Sequence, residues 1–289
     1  MARFLAWAFT ALFAASVMGA PSGPQGIAGL RLPGKFVWLD LATENPSSAR
    51  EFYGAVFGWK FHDVPNAPAS YAVATNEVEP VAGLFLHARP AGAATGARWL
   101  PLISVTDVQA AARIVSERGG KVLVDPRVVS GRGTHAVFRD PDGAVFGVLA
   151  TRDGDPPDTP VEEDDVFWFD LFAPDPARAA AFYAAVAGYD VNVGEVAGRE
   201  RTLLSSQDIA RAGIARPRAS SDRPSWLAYI LVDDVPAALD RVRKAGGKVV
   251  LPPRADLLDG NLAVIADREG GVIGIVRWVN ESGARGAPR

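Results

Sequence analysis

The chain has 289 residues, of which 48% are hydrophobic, and its 30 Lys and Arg against 33 Asp and Glu give a formal net charge of −3. This length allows two domains of ordinary size, and the balanced charge indicates no nucleic-acid partner. Cysteine is absent, which excludes disulfides, thiolate metal ligands and cysteine nucleophiles.

Residues 1–20 have the pattern of a signal peptide. Arg3 precedes an apolar run at residues 4–18, and Gly19 and Ala20 follow. The run is shorter than the ~20 residues of a membrane-spanning helix, so we predict cleavage, no stable membrane span afterwards, and a periplasmic or secreted protein. Retention as a membrane anchor is the alternative, because Pro21 is awkward directly after a cut. Residues 21–33 are predicted to form a flexible leader.

The rest of the chain repeats itself. The segment 36–41 (Phe-Val-Trp-Leu-Asp-Leu) recurs at 166–171 (Val-Phe-Trp-Phe-Asp-Leu), at an offset of 130 residues. Two copies of one domain are therefore predicted. The other repeated features are Phe52-Tyr53 with Phe182-Tyr183, Trp99 with Trp226, Gly119-Gly120 with Gly246-Gly247, and Asp140 with Asp267.

Each copy is predicted to contain two units of strand–helix–strand–strand–strand. In the first copy we predict strands at residues 35–42, 59–64, 71–75, 81–87, 99–105, 121–123, 133–139 and 144–150, and helices at 48–57 and 108–118. The third and fourth units begin at Val166 and Trp226 and repeat this order.

The predicted boundaries are a first domain at 34–151, an acidic, proline-rich linker at 152–165, a second domain at 166–279 and a disordered tail at 280–289. Residues 210–223 are predicted as a loop. The sequence leaves open whether the units pair in sequence or exchange partners, and the acidic linker favours pairing in sequence.

These motifs resemble the vicinal oxygen chelate superfamily, also called the glyoxalase/bleomycin-resistance/dioxygenase family. The resemblance spans residues 34–278 and is carried by the strand before the Asn45-Pro46 helix start, the Phe57-Gly58-Trp59 helix end, and the Asp140-Pro141-Asp142-Gly143 turn with its copy. It implies an α+β fold in which four βαβββ units pair into two cup-shaped domains whose interiors hold ligands.

The resemblance also implies a divalent metal, bound from the first strand of each unit and by a glutamate on the last strand. Here the first-strand positions are assigned to Trp38, Trp99, Trp168 and Trp226, and the last-strand positions to Gly147 and Gly274. Neither residue type provides a metal ligand, and His62, His87 and His135 all lie in the first half. We therefore expect no metal and no other cofactor, which argues against lactoylglutathione lyase or extradiol dioxygenase chemistry.

Trp38 and Asp40 are two residues apart on a strand and should share a face, as should Trp168 and Asp170. The predicted ligand-binding residues are Trp38, Asp40, Trp99, Trp168, Asp170 and Trp226. Each Asp either anchors a polar group of a ligand, acts as a base, or ties the sheet together through an indole or backbone N–H, and the structural interpretation is favoured. The tryptophans either bind a flat ligand or plug a cup that has lost its metal.

Six arginines mark the second half: Arg199, Arg201, Arg211, Arg216, Arg218 and Arg223. They either rim the second cup and attract an anion or face the acidic residues 162–165, and the second interpretation is favoured.

The preferred hypothesis is an exported, metal-free protein that binds a small, partly aromatic or apolar molecule in one or both cups. The alternatives are an enzyme of the same fold that uses Asp40 or Asp170, and a structural or interaction module with filled cups. The partner expected is a small molecule, and a homo-oligomer is compatible with the sequence.

Overall fold

The computed structural model describes residues 26–65, 67, 70–77, 79–88, 96–196, 199–217 and 223–278. The predicted signal peptide, residues 21–25 of the predicted leader and the predicted tail lie outside these residues. Within the described ranges, no helix is long and apolar enough to cross a membrane.

Both halves have the predicted α+β unit order. The first half contains β1 (Phe36–Thr43), α1 (Pro46–Phe57), β2 (Lys60–Asp63), β3 (Ala72–Thr75), β4 (Pro80–Leu86), β5 (Ala97–Ser104), α2 (Val108–Glu117), β6 (Lys121–Val129), β7 (Gly133–Arg139) and β8 (Val145–Thr151). The second half contains β9 (Val166–Phe172), α3 (Pro176–Ala187), β10 (Asp190–Val196), β11 (Arg199–Ser206), β12 (Ile209–Ala215), β13 (Ser225–Leu231), α4 (Val235–Lys244), β14 (Lys248–Leu251), β15 (Leu262–Ala266) and β16 (Val272–Val276).

Short sequence signals set the helix ends. The side chain of Asn45 accepts a hydrogen bond from the backbone N of Ser48 at 3.1 Å, and Pro46 occupies the first turn. The helix therefore begins at Pro46, two residues before the predicted start. It ends at Gly58, whose φ of 71° is the left-handed conformation that glycine adopts without strain. Asp175 and Gly188 bound α3 in the same way.

The units pair in sequence. One eight-stranded sheet has the order β2-β3-β4-β1-β5-β8-β7-β6, and the other has the order β10-β11-β12-β9-β13-β16-β15-β14. The first strands of two consecutive units, β1 with β5 and β9 with β13, lie antiparallel at the centre of each sheet. Residues on the central strands therefore occupy the middle of each half.

The largest hydrophobic core is shared by the two halves. It combines residues of all four helices with one face of each sheet, and the Phe36 ring stacks on the Phe169 ring with centroids 4.0 Å apart. Two smaller clusters, each built within one half, lie on the other face of each sheet. The helices thus join the halves, and each sheet keeps an inner surface of its own.

The repeated Trp, Tyr and Asp residues form two buried hydrogen-bond chains across the joint between the halves. Trp99 Nε1 donates to the Tyr53 hydroxyl at 3.0 Å, and that hydroxyl donates to Asp267 Oδ2 at 2.9 Å. Asp267 lies in a turn of the second half and Tyr53 lies on α1 of the first half, so this hydrogen-bond chain links the two halves.

The second chain has the same arrangement with the halves exchanged. Trp226 Nε1 donates to the Tyr183 hydroxyl at 2.9 Å, which donates to Asp140 Oδ2 at 3.0 Å. Burial raises the pKa of Asp140, and backbone hydrogen bonds from Ala144 and Gly143 oppose that rise. These repeated tyrosines and turn acids therefore connect the two halves.

The linker is held against the first half. The buried carboxylate of Asp155 accepts hydrogen bonds from the backbone N of Leu32 at 2.7 Å, from Ser104 Oγ at 2.6 Å and from Thr151 Oγ1 at 2.7 Å. Residues 27–32, predicted as part of a flexible leader, are thus fixed at the linker by these contacts and by backbone hydrogen bonds from Ile27 to Asp155 and from Asp155 to Leu30.

Replacing Asp164 with asparagine is expected to stabilise the protein at neutral and alkaline pH. Asp164 has a φ of 61°, which asparagine tolerates, and its buried Oδ1 has no hydrogen-bond partner among the described residues. Burial, with Glu163 nearby, raises the pKa of Asp164 to about 7. A raised native pKa means that the stability Asp164 contributes is lost as pH rises from about 4 toward 7.

The variant should unfold at the same denaturant concentration as the parent near pH 4. At pH 8 it should be more stable by roughly 1 kcal/mol, after allowance for solvent screening of this half-buried group. Urea unfolding at both pH values measures this. A stability difference that is independent of pH would show that Asp164 does not titrate as described.

Candidate functional site

The inner face of the first sheet carries Trp38 and Asp40, as the alternation of the strand predicts. Leu39 and Leu41 belong to the core shared with the helices, whereas Trp38 belongs to the inner cluster. Tyr71, just before β3, and Arg132, between β6 and β7, both reach this centre from opposite wings of the sheet. The Arg132 guanidinium lies 5.4 Å from the Tyr71 ring centroid. The sheet therefore curls into a cup, and this inner surface is called the first cup.

The matching inner surface of the second sheet, called the second cup, carries Trp168 and Asp170 on β9 and Tyr229 on β13. Leu171 belongs to the shared core, so the same alternation applies.

Trp99 and Trp226 were predicted to face the cups, and this is wrong. Trp99 lies opposite Leu41 across β1 and β5, on the face that meets the helices, where its indole binds the Tyr53 hydroxyl. Trp226 lies opposite Leu171 and binds the Tyr183 hydroxyl. Both tryptophans belong to the joint between the halves.

In the first cup Asp40 is held by three donors. Its Oδ1 accepts from Trp38 Nε1 at 2.7 Å and from the Tyr71 hydroxyl at 2.8 Å. Its Oδ2 accepts from the Arg132 guanidinium at 2.9 Å in an ion pair of two buried side chains. The Arg132 guanidinium also lies 5.7 Å from the Trp38 ring centroid. These contacts compensate the buried charge within the protein.

The turn that delivers Arg132 has glycines on both sides. Gly131 and Gly133 have φ values of 78° and 123°, which other residues rarely adopt. Arg132 is only 6% exposed, so the turn inserts a full-length side chain into the cup. One terminal nitrogen of the guanidinium binds Asp40, and the buried Nε of Arg132 has no hydrogen-bond partner among the described residues.

In the second cup Asp170 has fewer charged contacts. Its Oδ1 accepts from Trp168 Nε1 at 3.1 Å and its Oδ2 from the Tyr229 hydroxyl at 3.1 Å. Burial raises the pKa of Asp170, and the positive charge of Arg201 on β11 opposes that rise. Among the described residues no hydrogen bond joins Arg201 to Asp170, and Nε of Arg201 is buried without a partner.

The tyrosine and the arginine come from different units in the two cups. By strand register, Tyr71 in the first cup corresponds to Arg201 in the second, because Val73 and Leu203 each pair with the glycine that lies opposite the Asp. Leu102 likewise corresponds to Tyr229, since each pairs with the glycine of the last strand.

Each cup therefore contains a Trp, an Asp, a Tyr and an Arg, although the Tyr and the Arg come from exchanged units and stand at positions that are not equivalent. Copying of one ancestral cup does not by itself produce this exchange. A buried carboxylate needs hydrogen-bond donors and a countercharge, and different strands or turns can supply them. This need explains why both cups place a Trp, a Tyr and an Arg near the Asp.

Last-strand glycines make room for these side chains. A Cβ added to Gly83 would lie 2.1 Å from Asp40 Oδ1, and one added to Gly213 would lie 2.5 Å from Asp170 Oδ1. Gly274 is in the same position against Tyr229, with a Cβ 2.2 Å from the ring. The last-strand positions thus hold no side chain because the facing first-strand side chain occupies the space.

The residues present do not fit the divalent metal that the fold family implies. The inner positions of the central strands hold Trp38, Leu100, Leu102 and Asp40 in the first cup, and Asp40 is already bound by three donors. In the part of the chain that the structure describes, no group of three or more His, Asp or Glu side chains could hold a metal ion. The metal-free state stays a prediction.

The histidines do not alter this assessment. His62 is exposed and contacts Thr75 Oγ1 at 3.2 Å, and burial lowers the pKa of His87. His135 is buried on β7, and burial together with the charges of Arg132 and Arg127 lowers the pKa of His135 to about 3. His135 is therefore neutral across the physiological range.

The arginines of the second half have different partners: Arg211 binds the linker, Arg201 acts on the second cup, and Arg216 donates to the Pro174 carbonyl. The prediction of a loop at 210–223 is wrong at its start, where β12 carries the buried Arg211. Arg211 binds both carboxylate oxygens of Asp158 in the linker, at 2.6 and 2.9 Å. The favoured interpretation placed these arginines opposite residues 162–165, but Arg211 binds Asp158, earlier in the linker. Arg201 lies on the strand face of Leu203 and acts on the second cup. Arg218 and the side chain of Arg199 lie outside the described residues.

Comparisons with known proteins agree with this architecture. Residues 35–148 match the family model of the Glyoxalase/Bleomycin resistance protein/Dioxygenase superfamily, and residues 167–276 match the model of the Glyoxalase-like domain. The candidate glyoxylase CFP32 of Mycobacterium tuberculosis is 30% identical over 245 residues, which cover 83% of this chain and 93% of that protein. The anthracycline biosynthesis protein DnrV of Streptomyces peucetius is 28% identical over 261 residues, covering 82% of this chain and 95% of that protein.

Solved structures show the same fold at low sequence identity. The Mn(II)-bound glyoxalase from Novosphingobium aromaticivorans superposes with a TM-score of 0.57 at 16% identity, covering 89% of this chain and 85% of that one. The 2,3-dioxygenase LapB from Pseudomonas sp. KL28 gives a TM-score of 0.56 at 15% identity, covering 91% and 95%.

Proposed function

The chain belongs to the glyoxalase/bleomycin resistance protein/dioxygenase superfamily as a tandem two-domain member, and from this premise we propose that it binds a small, partly aromatic or apolar molecule without a metal. The second cup is the binding site in this proposal. The first cup is a structural element in this proposal, because the ion pair of Arg132 with Asp40 occupies its polar centre.

The difference between the two arginines carries the proposal. Arg132 forms an ion pair with Asp40 at 2.9 Å, whereas no described hydrogen bond or ion pair joins Arg201 to Asp170. The Nε atoms of both arginines are buried without a hydrogen-bond partner among the described residues. The position equivalent to Arg132 in the sequence repeat is Asp259, which is exposed. The second cup therefore lacks the inserted arginine that closes the first.

The walls of the second cup suit an aromatic or apolar ligand. Trp168 and Tyr229 are buried on its inner face, and Phe172, Leu203, Leu258 and Trp278 are partly buried around them. Such a surface, with a few polar groups at defined positions, is the usual composition of a small-molecule site.

Export is part of the same proposal. The short positive start and apolar run of residues 1–20 support a cleaved signal peptide and a periplasmic or secreted protein.

Native mass spectrometry of protein purified from the exported fraction tests the proposal. We expect the mass of a chain shortened by its signal peptide, with no added divalent ion and with a bound organic molecule. An added mass equal to a divalent metal would overturn the metal-free proposal, and full-length chain would overturn cleavage.

A matched pair of variants identifies the cup that holds the bound molecule. Gly213→Ala places a methyl group against Asp170 in the second cup, and Gly83→Ala does the same to Asp40 in the first. We expect the organic mass to be lost in Gly213→Ala and kept in Gly83→Ala, with circular dichroism confirming that both fold. The reverse pattern would contradict the assignment to the second cup.

An enzyme that uses Asp170 as a base is the second candidate, because burial raises the pKa of Asp170 toward the range of a working base. Turnover of the bound molecule that disappears in Asp170→Asn, while binding persists, would favour this candidate over simple binding.

A further inference from the structure

We propose that strand β10, at the edge of the second sheet, is a dimerisation surface that pairs antiparallel with β10 of a second copy of this chain. This surface is distinct from the second cup, and the proposal does not depend on the ligand.

Strand β10 (Asp190–Val196) is a long and regular free edge. It stands at the end of its sheet, and among the described residues it pairs only with β11, in a ladder without a register shift. The unpaired side of such a strand presents a row of backbone N–H and C=O groups. These groups are a template for one more strand.

The edge strands at the other three ends of the two sheets have features that oppose such pairing. Strands β2 and β14 have four residues each and begin with Lys60 and Lys248. Strand β6 begins with Lys121, contains Pro126 and has two register shifts against β7. Short length, lysine, proline and bulges are the usual protection of a sheet edge. Strand β10 has none of these four features, so its edge is open to pairing.

Two exposed valines lie along this edge. Val191 and Val193 are 45% and 71% exposed. Both lie on the face of the sheet that meets the helices, because Val191 pairs with Leu204 of the shared core. Asn192, between them, pairs with Leu203 on the inner face. The edge therefore has apolar side chains on one face and a polar side chain at its middle on the other.

A second copy fits this edge when the two-fold axis passes through Asn192. Val191 of one copy then lies opposite the partner's Val193, and Val193 lies opposite the partner's Val191, so the four valines form one apolar patch. An axis through Val193 would instead place Val191 opposite the partner's Glu195. Self-complementarity of this kind is what a two-fold interface requires, and directly opposed apolar side chains stabilise antiparallel strands.

Charge favours the same register. With the axis at Asn192, Asp190 lies opposite the partner's Gly194, which pairs within its own sheet with Arg201. Asp190 is exposed, and only a glycine separates its strand position from that of the partner's Arg201, on the same face. Residues 190–194 of each copy overlap, and no two like charges lie opposite each other. Unlike charges across an interface select the register in which they meet.

A single introduced cysteine tests the register. The chain contains no cysteine, so Asn192→Cys provides one thiol at the two-fold axis. Directly opposed residues of antiparallel strands have Cα atoms about 4.5–5.5 Å apart, which suits a disulfide. His62→Cys is the matched control, because His62 is an exposed residue of β2 that pairs with Val73, the counterpart of Leu203. Under mild oxidation we expect Asn192→Cys to form a covalent dimer at least about tenfold faster than His62→Cys.

Sedimentation velocity of protein purified from the exported fraction tests whether the parent dimerises. The overlap is short compared with a standard interface, so we expect a reversible dimer that is populated at about 100 μM and dissociates on dilution. Val193→Lys should stay monomeric, because it places a charge opposite the partner's Val191. Val128→Lys is the control: Val128 is a 76% exposed valine of the edge strand β6, and its replacement should leave the dimer unchanged. Circular dichroism checks that each variant folds.

Fast cross-linking of Asn192→Cys together with loss of the dimer in Val193→Lys would support the proposal. Equal oxidation rates for Asn192→Cys and His62→Cys would overturn it. A parent that stays monomeric at about 100 μM, or a Val193→Lys variant that still dimerises, would overturn it as well.

Discussion

Replacement of Arg132 by methionine is expected to lower the free energy of unfolding by about 3–5 kcal/mol at neutral pH. The guanidinium is the countercharge of the buried Asp40 carboxylate, at 2.9 Å, and methionine fills much of the same space without a charge. The variant would keep a buried carboxylate with only Trp38 and Tyr71 as donors.

A double-mutant cycle identifies the cause of the deficit. Asp40→Asn combined with Arg132→Met should be more stable than Arg132→Met alone, because the uncompensated charge is absent from the double variant. Arg201→Met is the matched control in the second cup, and a smaller loss is expected there because no described hydrogen bond joins Arg201 to Asp170. Urea unfolding of the set measures these differences. Equal losses in Arg132→Met and Arg201→Met would show that the two cups are held in the same way.

The repeated units could be predicted from the sequence because strand alternation and helix signals are local. Trp38 and Asp40 share the inner face as predicted, since two residues along a strand always return to the same side. The helix ends at Gly58 and Gly188 were equally visible, because each glycine adopts the left-handed conformation after an apolar helix face.

The face of Trp99 could not be predicted from the sequence. Strand β5 is buried on both faces over most of its length, so its sequence shows no alternation that distinguishes inside from outside. The repeat aligns Trp99 with Trp226. Both were also matched to Trp38 because all three are tryptophans on first strands, and this match placed Trp99 and Trp226 on the wrong face of the sheet. Register against β1 shows that Leu100 and Leu102 face the cup instead.

The arginine of each cup was hidden for a different reason. Arg132 lies in a glycine-bounded turn that resembles any exposed loop in sequence, and its entry into the cup depends on the curl of the whole sheet. Arg201 was noted only as one of six arginines. Because the two cups take their arginine from different units, the comparison of repeats could not align Arg132 with Arg201.

Replacement of Tyr53 by phenylalanine is expected to cost about 2–4 kcal/mol of stability, because the hydroxyl satisfies two buried groups at once. It accepts from Trp99 Nε1 at 3.0 Å and donates to Asp267 Oδ2 at 2.9 Å. Burial already raises the pKa of Asp267, and the Tyr53 hydrogen bond opposes that rise. Its loss should therefore destabilise the protein more at pH 7 than at pH 4, because the hydrogen bond stabilises the charged form of the carboxyl.

Tyr183→Phe should behave in the same way through Asp140, and the double variant should lose nearly the sum of the two, because the two hydrogen-bond chains share no residue.

Tyr189→Phe is the matched control: its buried hydroxyl makes one hydrogen bond, to the Gly34 carbonyl at 2.6 Å, so a loss of about 1 kcal/mol is expected. Urea unfolding at pH 4 and pH 7 separates these cases. If Tyr53→Phe lowered the free energy of unfolding no more than Tyr189→Phe at pH 7, packing alone would explain why the Trp, Tyr and Asp residues recur. A larger, pH-dependent loss would show that these hydrogen bonds stabilise the joint between the halves.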